Sequence, residues 1–258
     1  SAHIINKEFV DYPLHITNAY KTYGAPLGVY TDDFSQQLCV ERHFRTWPVN
    51  TDAFYADMLM WQNGAYWVNY EKFDEGTQTC KQLNFYRKHG TVLLNNPDES
   101  GNGSLMRILP VAFMGADDHH AKMAAFLCSA LTHNTDEAVK SCQFYVQLIR
   151  ELQRGIVGDV WERTASKVAF DPYCEDYEEG SGYVIATMCA LKDIIGSSTS
   201  YVEAIKRSIL MGGDTDTTAC VVGGVAALVF GLGDLPEDWL QFIQPSLQEP
   251  NVRELFTL

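Results

Sequence analysis

Residues 211–230 constrain the fold more tightly than any other stretch. Met211-Gly212-Gly213-Asp214-Thr215-Asp216-Thr217-Thr218-Ala219 runs directly into an apolar, small-residue segment that ends at Phe230. The run Ala219–Phe230 reads as a buried helix, so its N-terminus carries two carboxylates and three hydroxyls. The two glycines permit a sharp turn before the acids. Asp214 or Asp216 can serve simply as a helix cap. The same oxygen atoms also suit a hard divalent cation, Mg²⁺ or Mn²⁺.

A second oxygen-rich cluster favours the cation. Tyr30-Thr31-Asp32-Asp33-Phe34 again sets Thr beside two Asp, just ahead of the apolar-periodic segment Leu38–Phe44. Adjacent carboxylates at a helix start repel one another unless a cation or the helix dipole neutralises them. Together the clusters supply four carboxylates and at least two hydroxyls, enough for a two-metal site if tertiary packing joins them.

The rest of the chain is helical in pattern. Apolar residues recur with a period near 3.6 over 32–46, 51–61, 73–89, 117–131, 136–153, 182–195, 201–211 and 217–230, and sustained strand alternation is nearly absent. Residues 106–114 read as a buried apolar run. Residues 235–258 read as a tail whose Trp239, Phe242 and Ile243 are available for docking, and the stretch before Gly28 is irregular. No linker, repeat or composition shift divides the 258 residues, so a single all-α domain spanning 1–258 is expected.

The net charge of −14 argues against nonspecific binding to nucleic acid or to an anionic membrane. An anionic ligand would need local compensation from metal ions or backbone amides. The seven cysteines are scattered and form no Cys-x-x-Cys, and most sit in apolar contexts and read as small core residues, which suggests a reducing compartment. With no signal pattern and no membrane-length apolar run, a cytoplasmic location is expected. Gly-x-Ser-x-Gly, His-Glu-x-x-His and Gly-x-x-x-x-Gly-Lys-Ser/Thr are all absent, which removes the usual machinery of serine hydrolysis and nucleotide phosphoryl transfer.

Thr31-Asp32-Asp33 together with Gly212-Gly213-Asp214-Thr215-Asp216-Thr217 resembles the paired metal signature of the ADP-ribosylglycohydrolases, the family of the dinitrogenase-reductase-activating glycohydrolases. Three intermediate segments agree in order. Gly101-Asn102-Gly103-Ser104-Leu105-Met106-Arg107 resembles the family's Gly-rich loop, Leu131-Thr132-His133 with Ala138 its Thr-His helix, and Ser181-Gly182-Tyr183-Val184 its aromatic substrate loop. The resemblance implies an all-α fold. It implies two Mg²⁺ ions (Mn²⁺ as the alternative) held by Thr31, Asp32, Asp33, Asp214, Asp216 and Thr217. It further implies a ligand contacting Gly103, Ser104, His133 and Tyr183. Arg107, just after a turn, reads as a structural salt-bridge partner outside the site.

The implied activity is metal-dependent cleavage of the glycosidic bond between ADP-ribose and an acceptor, plausibly a protein side chain. The substrate would be an ADP-ribosylated protein or a small ADP-ribose derivative. Asp33 and Asp216 are the candidate acid/base residues. Two alternatives stand beside it: a non-catalytic ADP-ribose-binding or structural member of the fold, and a metal-dependent hydrolase of another N- or O-glycoside. The family's usual opening, Gly-Asp-Ala-x-Gly with a downstream Glu, has no match here. Glu8 and Asp11 are the upstream acids, and neither lies in a matching context. The expectation is a metal site and binding surface that survive while turnover suffers, because carboxylates committed to metal are poor proton donors.

Overall fold

The computed structural model describes residues 28–64, 72, 75–93, 99–175, 177–248 and 252–253. Glu8, Asp11 and the irregular stretch before Gly28 lie outside these residues, as does Phe73 at the head of the third helical segment.

Among the described residues ten α-helices carry the fold. They are α1 (Asp32–His43), α2 (Thr51–Gln62), α3 (Thr77–His89), α4 (Asp118–Ala130), α5 (Asp136–Gln153), α6 (Val160–Val168), α7 (Val184–Ser197), α8 (Tyr201–Leu210), α9 (Thr215–Phe230) and α10 (Glu237–Leu247). No strand occurs among them. One isolated antiparallel bridge joins Gly101 to Tyr183.

The long amphipathic helix α5 is the hub. Its N-cap Thr135 accepts the Ala138 amide, and Asp136 and Glu137 sit where the helix dipole favours negative charge. Phe144, Tyr145, Leu148 and Ile149 on its apolar face are buried, and α5 packs against α4, α6, α7 and α9. Helix α9 is the small-residue segment of the sequence. It packs on α8, α7, α5 and α1, so its N-terminal acids are delivered beside those of α1. That position depends on close approach. A Cβ at Gly224 would lie 2.4 Å from the Tyr145 hydroxyl, which donates to the Val221 carbonyl at 2.8 Å.

The run 106–114 is buried at Met106, Ile108, Val111, Ala112 and Met114, as expected, while Phe113 is exposed; it forms a turn followed by a 3₁₀ helix, Leu109–Phe113, with Pro110 in its first turn. Three expectations are corrected. The helix α6 went unread. It is short, and Asp159 and Ala169 bound it in the left-handed conformation usually left to glycine. Its buried residues Trp161, Thr164 and Val168 nevertheless fall at helical spacing. The tail contains α10, in which Pro245 disguises the helical pattern. Finally, Cys174 and Cys189 form a disulfide that fastens the loop ahead of α7 to α7 itself. Cys39, Cys128 and Cys142 are buried free thiols, as expected of small core residues. No helix among the described residues is long and apolar enough to cross a membrane.

Gly224→Ala should lower stability by about 1–3 kcal/mol through overpacking against Tyr145. The closest clash is with that hydroxyl, ahead of the Leu109 methyl carbons at 3.2 Å, so Gly224→Ala combined with Tyr145→Phe should cost less than the sum of the two single changes in chemical denaturation. Strict additivity would show that this contact does not set the spacing of α5 and α9.

Candidate functional site

The two acidic clusters meet. Thr31 is the N-cap of α1 but makes no side-chain cap bond, and its hydroxyl donates to Asp33 Oδ2 at 2.9 Å. Asp214 is the N-cap of α9 and also makes no side-chain cap bond; it accepts the Asn102 side-chain amide at 2.7 Å. The capping role therefore falls away for both. Asp32, Asp33, Asp214, Asp216 and Thr217 together line one cavity of about 400 Å³. The positive ends of α1 and α9 both lie against it, which offsets part of the charge.

The offset is incomplete. Burial, then the Asp216 carboxylate, pushes Asp33 up to about 7 against the opposing Thr31 and Thr217 hydroxyls. Asp214 is also raised, first by burial, with the Asn102 and Thr217 hydrogen bonds opposing the shift. Asp33 Oδ1 is enclosed with no hydrogen bond among the described residues. A carboxylate oxygen is costly to leave in that state.

Backbone contact builds the opposite wall. The loop before α7 lies against the turn before α9, with the Asp214 amide donating to the Gly180 carbonyl at 2.9 Å. Gly180 and Gly213 both have positive φ; a Cβ at Gly213 would stand 2.1 Å from the Gly180 carbonyl oxygen, and one at Gly180 would stand 2.3 Å from the Gly212 carbonyl oxygen. On the near side the Asn102 amide donates to Gly182 O at 3.0 Å. The buried His133 ring lies along Gly101 and Gly103. A Cβ at Gly103 would meet His133 Cε1 at 2.9 Å.

Of the residues singled out in the sequence as ligand contacts, Gly103 and His133 line the cavity. Burial, then the Arg107 charge, depresses His133 to about 3, so its imidazole is neutral. Ser104 is not on the cavity wall. Its hydroxyl faces Ser129 at 2.8 Å and Cys142 at 3.4 Å inside the core. Tyr183 follows the lining residue Gly182 and is exposed, its hydroxyl donating to Glu137 Oε1 at 2.7 Å. The sequence reading missed Gly76, Thr77, Gln78 and Thr79, which bring the N-terminus of α3 to the cavity. Gln78 fastens it there by donating to Thr132 O at 3.3 Å. The signal was present as a Gly followed by two Thr at a helix start. Arg107 makes no salt bridge among the described residues, contrary to expectation; it is wholly buried among neutral acceptors.

A cavity walled by four carboxylates and glycine-rich backbone, inside an all-helical fold, agrees with comparison to known proteins. The family model described as ADP-ribosylglycohydrolase matches residues 2–256. The chain belongs to the ADP-ribosylglycohydrolase family of hydrolases. It is 28% identical over 261 residues to ADP-ribosylarginine hydrolase Tri1 of Pseudomonas putida (strain GB-1), covering 90% of this chain and 70% of that protein. It is 23% identical over 238 residues to the ADP-ribosyl-[dinitrogen reductase] glycohydrolase of Rhodospirillum rubrum, covering 90% of this chain and 79% of that protein. Among solved structures, an ADP-ribosylglycohydrolase-related protein complex superposes with a TM-score of 0.70 at 25% identity, over 89% of this chain and 79% of that one.

The glycine packing gives an ordered expectation. Gly213→Ala should destabilise by clearly more than Gly212→Ala. Both residues have positive φ, but a Cβ at Gly212 meets nothing within 4 Å, so that change costs only the backbone strain of about 1 kcal/mol. Equal losses in thermal melts would remove the Gly180–Gly213 contact as the feature that sets the cavity wall.

Proposed function

We propose that this protein removes ADP-ribose from an acceptor by hydrolysing the glycosidic bond at the ribose, with an ADP-ribosylated protein side chain, arginine foremost, as substrate. The observation that carries this reading is the meeting of four carboxylates from two helix N-termini at one cavity. The names of the relatives support it. Two of them are ADP-ribosylarginine hydrolases and a third acts on ADP-ribosylated dinitrogen reductase.

The donors present suit a hard divalent cation. They are all oxygen atoms, and one enclosed carboxylate oxygen, Asp33 Oδ1, has no hydrogen-bond partner among the described residues. No three His, Cys, Asp or Glu side chains among the described residues are closed up tightly enough to hold an ion as they stand, so binding would draw the carboxylates inward. Asp32, Asp33, Asp214 and Asp216, with Thr31 and Thr217, would hold Mg²⁺ or Mn²⁺. Bound there, the cation would polarise oxygen and help orient a ribose diol.

The protein's own groups account for the rest. Hydrolysis breaks the bond between the ribose anomeric carbon and the acceptor, adds water's oxygen to that carbon and returns a proton to the acceptor. The transition state is oxocarbenium-like, so an acidic wall stabilises the positive charge that develops on the sugar. Asp33 and Asp216 are the candidates to take the proton from water. The Gly103 and Ser104 amides meet no acceptor among the described residues and would serve the diphosphate. This assigns Ser104 a backbone role, its hydroxyl being committed to the core. Tyr183, exposed beside Gly182, would stack on the base or ribose.

Two outcomes check this reading. In the presence of chelator, Asp33→Asn should raise the melting temperature, by about 2–4 °C per kcal/mol of relieved repulsion, and it should abolish the Mg²⁺-induced rise seen in the native protein. An unchanged melting temperature on adding Mg²⁺ or Mn²⁺ to the native protein would remove the metal. In calorimetry, Tyr183→Ala should weaken ADP-ribose binding by ~1–2 kcal/mol, as for loss of a stacking aromatic. Tyr183→Phe should not. The activity itself is read as metal-dependent release of ADP-ribose from ADP-ribosylated arginine; binding without release would identify a non-catalytic ADP-ribose receptor.

A further inference from the structure

The segment between α6 and α7 supplies one wall of the cavity from its last residues. Gly182 lines the cavity, the Gly180 carbonyl accepts the Asp214 amide at 2.9 Å, and the Gly182 carbonyl accepts the Asn102 amide at 3.0 Å. The Cys174–Cys189 disulfide, which the proposed hydrolysis leaves unused, closes a ring around this wall. Gly180 comes six residues after Cys174, and Tyr183 comes six residues before Cys189. The wall therefore sits at the middle of a covalent loop whose ends are 15 residues apart in sequence.

Other tethers on the first half of that loop are few. Among the described residues, none from Asp171 to Tyr177 makes a backbone–backbone hydrogen bond. Asp171 Oδ1 accepts the Trp161 indole N–H at 3.0 Å, but it lies ahead of the ring. Within the ring Tyr177 packs at the edge of the core, and its hydroxyl donates to Asp193 Oδ2 at 2.9 Å, an exposed contact for which water competes. Asp193 lies four residues beyond Cys189 on α7, so both clips fall on one face of that helix. The disulfide is the stronger of the two.

The two cysteines differ in access. Cys189 is fully enclosed, while Cys174 is half-buried between the exposed residues Tyr173 and Glu175. An incoming thiolate therefore meets Cys174 first, since exchange depends on which sulfur can be reached.

We propose that the Cys174–Cys189 pair is a redox site that controls the order of the cavity wall, with a dithiol as its reductant. One thiolate of the dithiol attacks Cys174 Sγ. The protein S–S bond breaks, and Cys189 Sγ leaves with the electron pair and takes up a proton. The second thiol of the reductant then displaces Cys174 Sγ from the mixed disulfide as a thiolate, which is protonated in turn. The protein gains two electrons and two protons, and the dithiol becomes a cyclic disulfide. Cys189 then rests as a small buried thiol, as Cys128 and Cys142 do. The opened ring frees the chain ahead of Gly180 and leaves the wall to its hydrogen bonds. The effect on ligand affinity rests on the ADP-ribose reading; the redox step does not.

The test separates the two by comparing the full chain after mild oxidation and after dithiothreitol. Alkylation in denaturant followed by peptide mapping should find Cys174 and Cys189 bridged in the first sample and both alkylated in the second. The reduced protein should exchange amide hydrogens faster from Tyr177 to Tyr183, and it should melt several degrees lower, as expected when a ring of this size is opened. It should bind ADP-ribose about three- to tenfold more weakly, because the ordered wall is then populated only part of the time. Cys174→Ser, and separately Cys189→Ala, should reproduce the reduced state and abolish the response to dithiothreitol. The proposal is overturned if the two cysteines are not bridged in the oxidised protein, or if dithiothreitol leaves exchange at the wall unchanged. It is also overturned if Cys174→Ser still responds there, or if the two forms bind ADP-ribose with the same measurable affinity. If neither form binds ADP-ribose, the glycosidic reading fails, while hydrogen exchange still decides the redox site.

Discussion

Repulsion among four carboxylates is the constraint on which the site is built. Asp32 and Asp33 open α1, and Asp214 and Asp216 open α9. Each pair lies where a helix tolerates negative charge best, at its positive end. The fold then turns both ends toward one cavity, where the dipoles no longer suffice. Asp33 and Asp214 are pushed toward their neutral forms, and one Asp33 oxygen is left without a partner. A chain seeking stability alone would not retain this arrangement. It is economical only if something positive belongs there: a cation, a sugar acquiring positive charge, or both.

The surroundings answer that constraint at graded distance. Nearest are neutral donors, the Thr31 hydroxyl to Asp33 and the Asn102 amide to Asp214. One step further, Gln36 donates to Asp32, and behind it lies the Arg107 guanidinium. A cation in direct contact with the carboxylates would neutralise the cavity permanently. Held back behind an amide, it supplies hydrogen-bond order while leaving the acidic wall free to act on a ligand. Burial, with the Arg107 charge adding to it, depresses His133, which remains a neutral hydrogen-bonding group inside an otherwise negative pocket.

Legibility in the sequence followed the range of each interaction. Thr31-Asp32-Asp33 and Asp214-Thr215-Asp216-Thr217 are contiguous and sit at helix starts, so composition and order reveal them. Helices such as α5 were legible for the same reason, because amphipathic period and caps are local. What the sequence withheld is tertiary. The cavity role of Gly76–Thr79 depends on where α3 is docked, through Gln78 and Thr132. The direction of Ser104 depends on Ser129 and Cys142, which come from α4 and α5. The Cys174–Cys189 pairing depends on a loop folding back on α7. Arg107 misled because an Arg is expected to find a carboxylate, and nothing local states that its acceptors are an amide, a hydroxyl and carbonyls drawn from the α1, glycine-loop and α4 segments.

Glycine does for the cavity walls what carboxylates do for its chemistry. Gly180 against Gly213, and Gly103 against the His133 ring, are contacts that a single methyl group would forbid. They bring the loop before α7, the turn before α9 and the glycine loop to within one hydrogen bond of each other, as the Asp214–Gly180 and Asn102–Gly182 bonds record. Gly101, Gly103 and Gly182 line the cavity with little more than backbone, which under the ADP-ribose reading would suit phosphate and ribose oxygens in a protein with a net charge of −14. Amide dipoles attract an anion without the ion pairing that a lysine or arginine would form with the four carboxylates beside it. On the proposed reading, an acidic cavity would grip the anionic half of ADP-ribose with backbone and keep its carboxylates for the half where positive charge develops.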